Sequence, residues 1–248
     1  MKLSNWIILV IFALTALLVI VPACQVRKEQ AKAVPQPAGP VLIEFDIHQD
    51  MKLPFLTPFS EPAQFAIWLE EPVSGRLQTV FVTYRSGTGD WIGTAERKGA
   101  LPRWFEVFQQ EHNSLGPPDF DNPAPEAVTG ATPQQEQFKT SIEVASGSRW
   151  ICWIEVNLAG DFNAKYKEQD EKAKTVDWDF VGQPALIYRG QIIANPGEKI
   201  VPQLYGQSVL NSPDGKTVQP VSEDVTTARH IFKTIEIRII RPEANSPG

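Results

Sequence analysis

Apolar side chains recur at every second position in several short segments of the chain, and this period of two is the strongest constraint on its fold. In residues 41–48 (VLIEFDIH) the alternating apolar side chains are Val41, Ile43, Phe45 and Ile47. Successive side chains of a β-strand point to opposite faces of the sheet, so this spacing predicts a strand with one buried face.

Further segments show a similar pattern and are also predicted to be strands; they are 63–71, 77–84, 137–145, 149–158, 185–194 and 234–240. Pro72 to Gly75 predicts a turn after the second strand, and Ser146-Gly147-Ser148 predicts a tight hairpin between the fourth and fifth. Strands joined by short connections favour two packed sheets. The predicted fold class is therefore all-β, an immunoglobulin-like antiparallel β-sandwich with one or two short helices.

Three stretches depart from this pattern. Residues 101–108 follow the helical period after a proline and predict a short helix that closes one end of the sandwich. Residues 163–177 include the charged run AKYKEQDEKAK and predict a solvated loop. Residues 225–232 predict one helical turn capped by Thr226 before the last strand.

The N-terminus contains 18 uncharged residues from Trp6 to Ala23, followed by Cys24. This arrangement resembles a bacterial lipoprotein signal, which implies cleavage before Cys24 and a lipid anchor on that residue. The alternative is an uncleaved membrane helix, since 18 residues at about 1.5 Å each reach roughly across the hydrocarbon layer. Both interpretations tether the domain to a membrane. For an uncleaved anchor, Arg27, Lys28 and Lys32 after the segment would favour a cytoplasmic C-terminus. The predicted location is the extracytoplasmic side of the cell envelope, periplasmic or at the cell surface.

The predicted organisation is a signal or anchor over residues 1–23, a flexible tether over 24–40, a single β-sandwich domain over 41–241 and a disordered tail over 242–248. The tether ends in Pro-Gln-Pro-Ala-Gly-Pro and contains few large apolar groups, as is typical of a semi-extended linker. A domain of this length is ordinary for an all-β fold.

Charge and composition exclude several functional classes. The formal net charge is −6 and no long basic run is present, so we expect no nucleic-acid partner. Two cysteines are too few for a disulfide scaffold or a cysteine zinc site, and the three histidines form no spaced metal-binding pair. Without a nucleophile elbow, zinc-peptidase helix or phosphate loop, we expect neither catalysis nor a bound metal.

Cys152, in a run of apolar residues, is predicted to be a buried side chain rather than a reactive thiol.

The end of the 149–158 strand and the loop after it carry the oxygen-bearing side chains Glu155, Asn157, Asp161 and Asn163. They predict a surface binding site, with calcium as one ligand that prefers such oxygens. The alternative is that the asparagine and aspartate residues form ordinary turns at a strand end. Trp91 is predicted to be a second surface binding residue, displayed by a hairpin loop at 87–91.

The segment Glu126-Ala-Val-Thr-Gly-Ala-Thr132-Pro-Gln134 is similar to the Asp-x-x-Thr-Gly-Ala-Thr-x-Thr sequence of extracytoplasmic flavoproteins. In those proteins the second threonine carries FMN through a phosphodiester, so the resemblance implies Thr132 as an attachment residue. Glu126 replaces the usual aspartate and Gln134 replaces a hydroxyl residue. The alternative is a turn centred on Gly130 and no cofactor.

Several motifs together resemble a family of uncharacterised bacterial periplasmic domains; they are FAIWLE (65–70), TVFV (79–82), EAVTGAT (126–132), IEVN (154–157) and GQP (182–184). The resemblance covers most of residues 41–240. It implies an immunoglobulin-like domain, related in shape to flagellar hook-capping modules and often encoded beside membrane flavoprotein and haem-linked electron-transfer components. No established activity comes with it.

These observations favour a membrane-tethered extracytoplasmic module for binding or assembly, with an envelope protein as partner. The alternative is a redox accessory protein that carries covalent FMN on Thr132 or docks to a membrane flavoprotein.

The mass of the native protein tests the N-terminal and flavin hypotheses together. We expect intact-mass analysis to show loss of residues 1–23 and an acyl addition on Cys24. A mass that retains Met1 would contradict cleavage, and an added FMN mass would support the modification of Thr132.

Overall fold

Strands make up most of the regular structure, as the period-two pattern predicts. The computed structural model describes residues 39–90, 100–125, 133–170, 175–176, 181–210 and 217–242. The strands in those ranges are β1 (Val41–Gln49), β2 (Gln64–Glu70), β3 (Leu77–Val82), β4 (Gln137–Val144), β5 (Arg149–Asn157), β6 (Gln169–Asp170), β7 (Thr175–Val176), β8 (Ala185–Ile193), β9 (Lys199–Ile200), β10 (Gln203–Ser208), β11 (Val218–Gln219) and β12 (Phe232–Ile240).

Helices are few in the described ranges. Two are α-helices, α1 (Tyr84–Thr88) and α2 (Pro102–His112), and two are 3-10 helices, Leu53–Leu56 and Thr227–His230. No helix of the described residues is long and apolar enough to cross a membrane.

The main strands form two antiparallel sheets. The four-stranded sheet has the order β4-β1-β12-β9, and the six-stranded sheet has the order β11-β10-β8-β5-β2-β3. Strands β6 and β7 form a separate two-stranded ribbon. The predicted fold class, an all-β antiparallel sandwich with one or two short helices, is confirmed.

The interior between the sheets is built from the alternating side chains. On β1, Val41, Ile43, Phe45 and Ile47 are at most 1 % exposed, as their spacing predicts. Phe65 of β2 packs edge-on against aromatic rings of the opposite sheet, with ring centroids 5.2 Å from Phe138 and 5.5 Å from Phe232. These contacts join the two layers directly.

A second apolar cluster lies on the other face of the six-stranded sheet. Ala66 and Trp68, which alternate with the interior side chains of β2, pack against Trp104, Val107 and Phe108 of α2. The sequence predicted that this helix would close an end of the sandwich, and that prediction is wrong. The helix instead covers the outer face of the sheet, because Ala66 and Trp68 make that face apolar.

The turn at Ser146-Gly147-Ser148 was predicted to join two paired strands, and this is also wrong. The turn exists, with Gly147 at φ +77°, but β4 pairs with β1 while β5 pairs with β2 and β8. The chain therefore passes from one sheet to the other at this turn. By contrast, Pro72 to Gly75 does lie between paired strands, β2 and β3.

Three further local predictions need correction. The third strand ends at Val82 because the chain enters α1 at Tyr84, so residues 87–89 belong to a helix and its left-handed end at Gly89, not to a hairpin loop. Thr226 precedes the 3-10 helix Thr227–His230, but its side chain does not cap that helix. Its N–H instead donates to Gln183 Oε1 at 2.6 Å.

Gly182 allows a close approach of two loops. It has φ +73° and forms a parallel bridge with Asp161, and a Cβ added to it would lie 2.7 Å from the Asp161 carbonyl. Gly75 has nearly the same φ, +70°, but a Cβ there would meet nothing within 4 Å.

We expect Gly182→Ala to destabilise the protein more than Gly75→Ala. Both variants carry a left-handed alanine, which costs about 1–2 kcal/mol, but only Gly182→Ala adds backbone overlap, at about 1–3 kcal/mol more. Urea unfolding of the two variants measures the difference. Equal decreases in the free energy of unfolding would show that the two loops can move apart at no cost in stability, which would contradict the prediction.

Candidate functional site

A cleft of about 520 Å³ lies beside the N-terminal half of β12 and is lined by residues of both sheets. Strand β12 lines one side, and the segment from Val201 to Leu204, which leads from β9 into β10, lines the other. The apolar residues of the lining are Tyr188, Val201, Pro202, Leu204, Phe232 and Ile235. Val201 is 61 % exposed, whereas Phe232 and Ile235 are buried.

Among the described residues, the pairing of β12 with β9 ends at Ile237, where the cleft begins. Ile239 donates its N–H to the Glu198 carbonyl and accepts the N–H of Gly197, so its backbone groups point away from β1. Because these directions alternate along an antiparallel strand, Ile237 and Ile235 point the same way. Ile237 pairs with Ile200, the last residue of β9. Within the described ranges no strand continues beyond β9 to reach Ile235.

The connection after β9 explains why pairing stops there. Pro202 follows Val201 and would lie opposite Ile235 if β9 continued in register, but proline has no N–H to donate to a ladder. The chain crosses instead to the six-stranded sheet and enters β10. Its crossing leaves the edge of β12 open and forms the second wall of the cleft.

The charged groups that line the cleft balance one another. Asp46 and Glu236 are acidic, Lys233 and Arg238 are basic, and His48 lies beside Asp46. Hydrogen bonds from Lys199 and Arg238 lower the pKa of Glu236. Burial alone would raise the pKa of Asp46, but hydrogen bonds from Gln137 and Lys139 outweigh it and lower the pKa. Both carboxylates are therefore ionised and paired at neutral pH.

The sequence-predicted surface residue Glu155 is buried, with no exposed surface. Its carboxylate accepts the α2 backbone N–H groups of Arg103 at 3.1 Å and Trp104 at 2.6 Å, and the hydroxyl of Ser208. The residue before α2 is Leu101, whose side chain makes no capping hydrogen bond. Glu155 thus takes the place of an N-cap residue from a neighbouring strand, and it is not a surface ligand.

The other predicted oxygen ligands belong to a separate network. Asn157 donates to the Gln183 carbonyl at 2.9 Å, and Gln183 donates to the Thr227 hydroxyl at 2.5 Å. That hydroxyl donates in turn to Asp161, whose pKa is raised by burial. Asn157 and Asp161 are 2 % and 7 % exposed, so neither forms a surface site. The network ties the 3-10 helix Thr227–His230 to the loops that follow β5 and precede β8.

Asn163 acts as a turn former, the alternative that the sequence left open. Its side-chain oxygen accepts the N–H of Lys165 at 2.9 Å and of Tyr166 at 2.8 Å, and its amide donates to the Asp224 carbonyl. Among the described residues no three histidine, cysteine, aspartate or glutamate side chains are placed to hold one metal ion.

Cys152 is fully buried on β5 and unpaired, as the apolar run around it predicts, and burial raises the pKa of its thiol. Cys24, Trp91 and Thr132 lie outside the described residues. The lipid anchor, the displayed tryptophan and the flavin attachment therefore stay predictions from the sequence.

The cleft was not predicted from the sequence because β10, which continues from one of its walls, was not predicted to be a strand. Strand β10, with the sequence QLYGQS, contains Gly206 and a register shift between Leu204 and Gly206, so its apolar side chains do not alternate. The signal that could have found the open edge is the Pro202 that follows Ile200 and Val201, since proline ends strand pairing.

Comparison of the chain with protein-family models, curated proteins and solved structures finds no match.

The buried carboxylate of Glu155 makes stability depend on pH. Burial raises its pKa from 4.5 to about 7, although its three hydrogen bonds act in the opposite direction. The folded protein holds this proton more tightly than the unfolded chain, so the contribution of Glu155 to the free energy of unfolding decreases between about pH 4.5 and pH 7.

We expect the stability difference between the wild type and Glu155→Gln to fall by up to about 3 kcal/mol over this range. Urea unfolding at a series of pH values measures it. Glu198→Gln, at an exposed position, is the matched control, and its difference from the wild type should stay flat. The same flat profile for Glu155→Gln would show that the buried carboxylate does not titrate with folding.

Proposed function

We propose that this protein is a membrane-tethered extracytoplasmic binding module that takes up an extended peptide segment of a partner protein by strand addition at β12. The observation that carries the proposal is the backbone of Ile235, which faces the cleft beyond the end of β9. The proposed role contains no catalytic step.

Strand addition satisfies the groups that β12 leaves unpaired. An exposed strand edge presents N–H and C=O groups that hydrogen-bond readily to another extended chain. A guest segment that enters the cleft in the direction of β9 would pair with Ile235 and extend the four-stranded sheet. Its backbone would supply affinity, and its alternate side chains would supply selectivity.

The lining of the cleft indicates the composition of the guest segment. Its two acidic and two basic groups leave no net charge, and both acids already hold basic partners. A guest with charged side chains directed inward would gain no partner and would lose hydration. The apolar wall of Tyr188, Leu204 and Phe232 favours a segment with an apolar residue at every second position.

The N-terminal segment supports the membrane attachment in this proposal. The uncharged run before Cys24 and the proline-containing stretch over 24–40 support an anchor followed by a linker, which would hold the domain near the membrane. A domain held there would meet segments of other envelope proteins at high local concentration.

A library of random linear dodecapeptides displayed on phage tests the function. We expect selected peptides to carry apolar residues at alternate positions and to slow hydrogen exchange at the Ile235 amide when they bind. The exposed cleft residue Val201 provides the variant, since Val201→Asp places an unpaired charge in the apolar wall. We expect at least a tenfold loss of peptide affinity.

Val73→Asp is the matched control. Val73 is 93 % exposed in the turn between β2 and β3 and does not line this cleft, so its substitution should leave affinity unchanged. Selected peptides that bind Val201→Asp as tightly as the wild type, or that leave the Ile235 amide unprotected, would contradict the proposal. A library without enriched sequences would contradict it as well.

A further inference from the structure

A row of side chains crosses the outer face of the six-stranded sheet beside α2. Trp68 of β2 is the cross-strand partner of Trp153 of β5, Trp153 is the partner of Arg189 of β8, and Arg189 is the partner of Gln203 of β10. The two indoles are stacked, with centroids 6.4 Å apart. Tyr205 of β10 meets Trp153 edge-on at 5.3 Å.

The guanidinium of Arg189 is held in this row by aromatic rings. Its central carbon lies 5.2 Å from the centroid of the Trp153 ring and 5.4 Å from that of Tyr205. Such cation–π contacts fix the plane of a guanidinium without using its N–H groups. Trp153 is fixed in turn, because its indole N–H donates to Glu70 at 2.8 Å.

Arg189 has no anionic partner among the described residues. Its Nε is buried and makes no hydrogen bond, and no described carboxylate lies within ion-pair distance. Other arginines of the domain are paired: Arg85 with Glu61, Arg103 with Glu106 and Arg238 with Glu236. A preorganised guanidinium without an acid is therefore available to an external carboxylate, which it can bind through two parallel N–H···O bonds.

The surroundings of Arg189 are open to solvent and rich in groups that recognise sugars. Tyr205 is 53 % exposed, and Gln191 and Gln203 are exposed on either side of Arg189. An aromatic ring can pack against the apolar C–H face of a pyranose, and the two amides can hydrogen-bond to hydroxyl groups. Glu70 supplies an acceptor at the far end of the row.

The position within the sheet argues against an extended peptide as the ligand. Strand β8 is paired on both sides, with β5 and with β10, so its backbone offers no free groups for strand addition. A ligand on this face must be recognised by side chains alone. Of the residues named here, Gln203 also lines the β12 cleft, whereas Arg189, Trp153 and Tyr205 do not. The binding of a ligand to Arg189 does not depend on the proposed function.

We propose that the outer face around Arg189, Trp153 and Tyr205 binds a glycan that carries carboxylate groups, such as a uronic acid oligomer. The carboxylate binds the guanidinium of Arg189, and the ring of the same or the next sugar packs on Tyr205. Gln191 and Gln203 bind hydroxyl groups beside it.

Isothermal titration with trigalacturonic acid and with its fully methyl-esterified form tests this site, because the two compounds differ only in their carboxylates. We expect the acid to bind at least tenfold more tightly than the ester, and to change the fluorescence of Trp153. N-acetyl-alanyl-alanine with a free carboxylate tests a peptide terminus instead. Equal binding of that dipeptide would overturn the assignment to a glycan.

Arg189→Gln should abolish binding of the acid, whereas Arg149→Gln, at an exposed arginine of β5 outside the row, should leave it unchanged. Gln191→Glu is a second variant that alters only an exposed side chain and should weaken binding at least tenfold by placing a negative charge beside Arg189. Absence of binding by the wild-type protein would overturn the proposal. Unchanged binding in Gln191→Glu would do the same.

Discussion

The apolar interior shared by the two sheets is the constraint on which the rest of this structure depends. Phe65 on β2 contacts Phe138 and Phe232 of the opposite sheet, so that one side chain joins strands that are far apart in the sequence. Because each strand directs every second residue into this interior, the intervening residues face outward and their environment depends on what covers the outer faces. Buried apolar surface stabilises the fold at about 25 cal/mol per Å², and its placement determines where polar groups can remain.

The outer face of the six-stranded sheet shows the consequence. Ala66 and Trp68 are apolar on that face and require a cover, which α2 provides. A covering helix brings unpaired N–H groups to the sheet at its N-terminus, and Glu155 accepts two of them. At the other end of α2, Glu111 accepts the backbone N–H and the hydroxyl of Thr79 on the edge strand β3. Two carboxylates therefore hold α2 against strands on both sides of the cluster, which explains why charged side chains lie next to the apolar face of this helix.

The positions of the main strands could be predicted from the sequence, but the pairing between strands could not. Alternation is a local property, so Val41 to Ile47 and Phe65 to Leu69 identify their buried faces without knowledge of the neighbours. Pairing is not local: the Ser146-Gly147-Ser148 turn has the composition of a hairpin, yet the surrounding strands belong to different sheets. The same limit applies to the candidate site. Glu155 has the spacing of an outward-facing residue, which is correct, but only the position of α2 determines that the outward face is buried there. The cleft depends on where β9 stops, and that follows from Pro202 together with a register that no short segment encodes.

Both surfaces to which we assign binding lie where the cover of a sheet ends. Strand β12 has nine residues and β9 has two, so within the described part of the chain the edge of β12 has no strand partner at Ile235, beside the cleft. On the other sheet, α2 covers Ala66 and Trp68, while the row of side chains that starts at Trp68 continues to Arg189 and the half-exposed Tyr205. The backbone N–H of Ile235 lies at one of these boundaries, and the guanidinium of Arg189 lies at the other. Burying either group without a hydrogen-bond partner would cost free energy. A sandwich can keep such groups available because its interior packing does not depend on them, and this separation of stability from the outer surface is what makes the fold suitable as a binding platform.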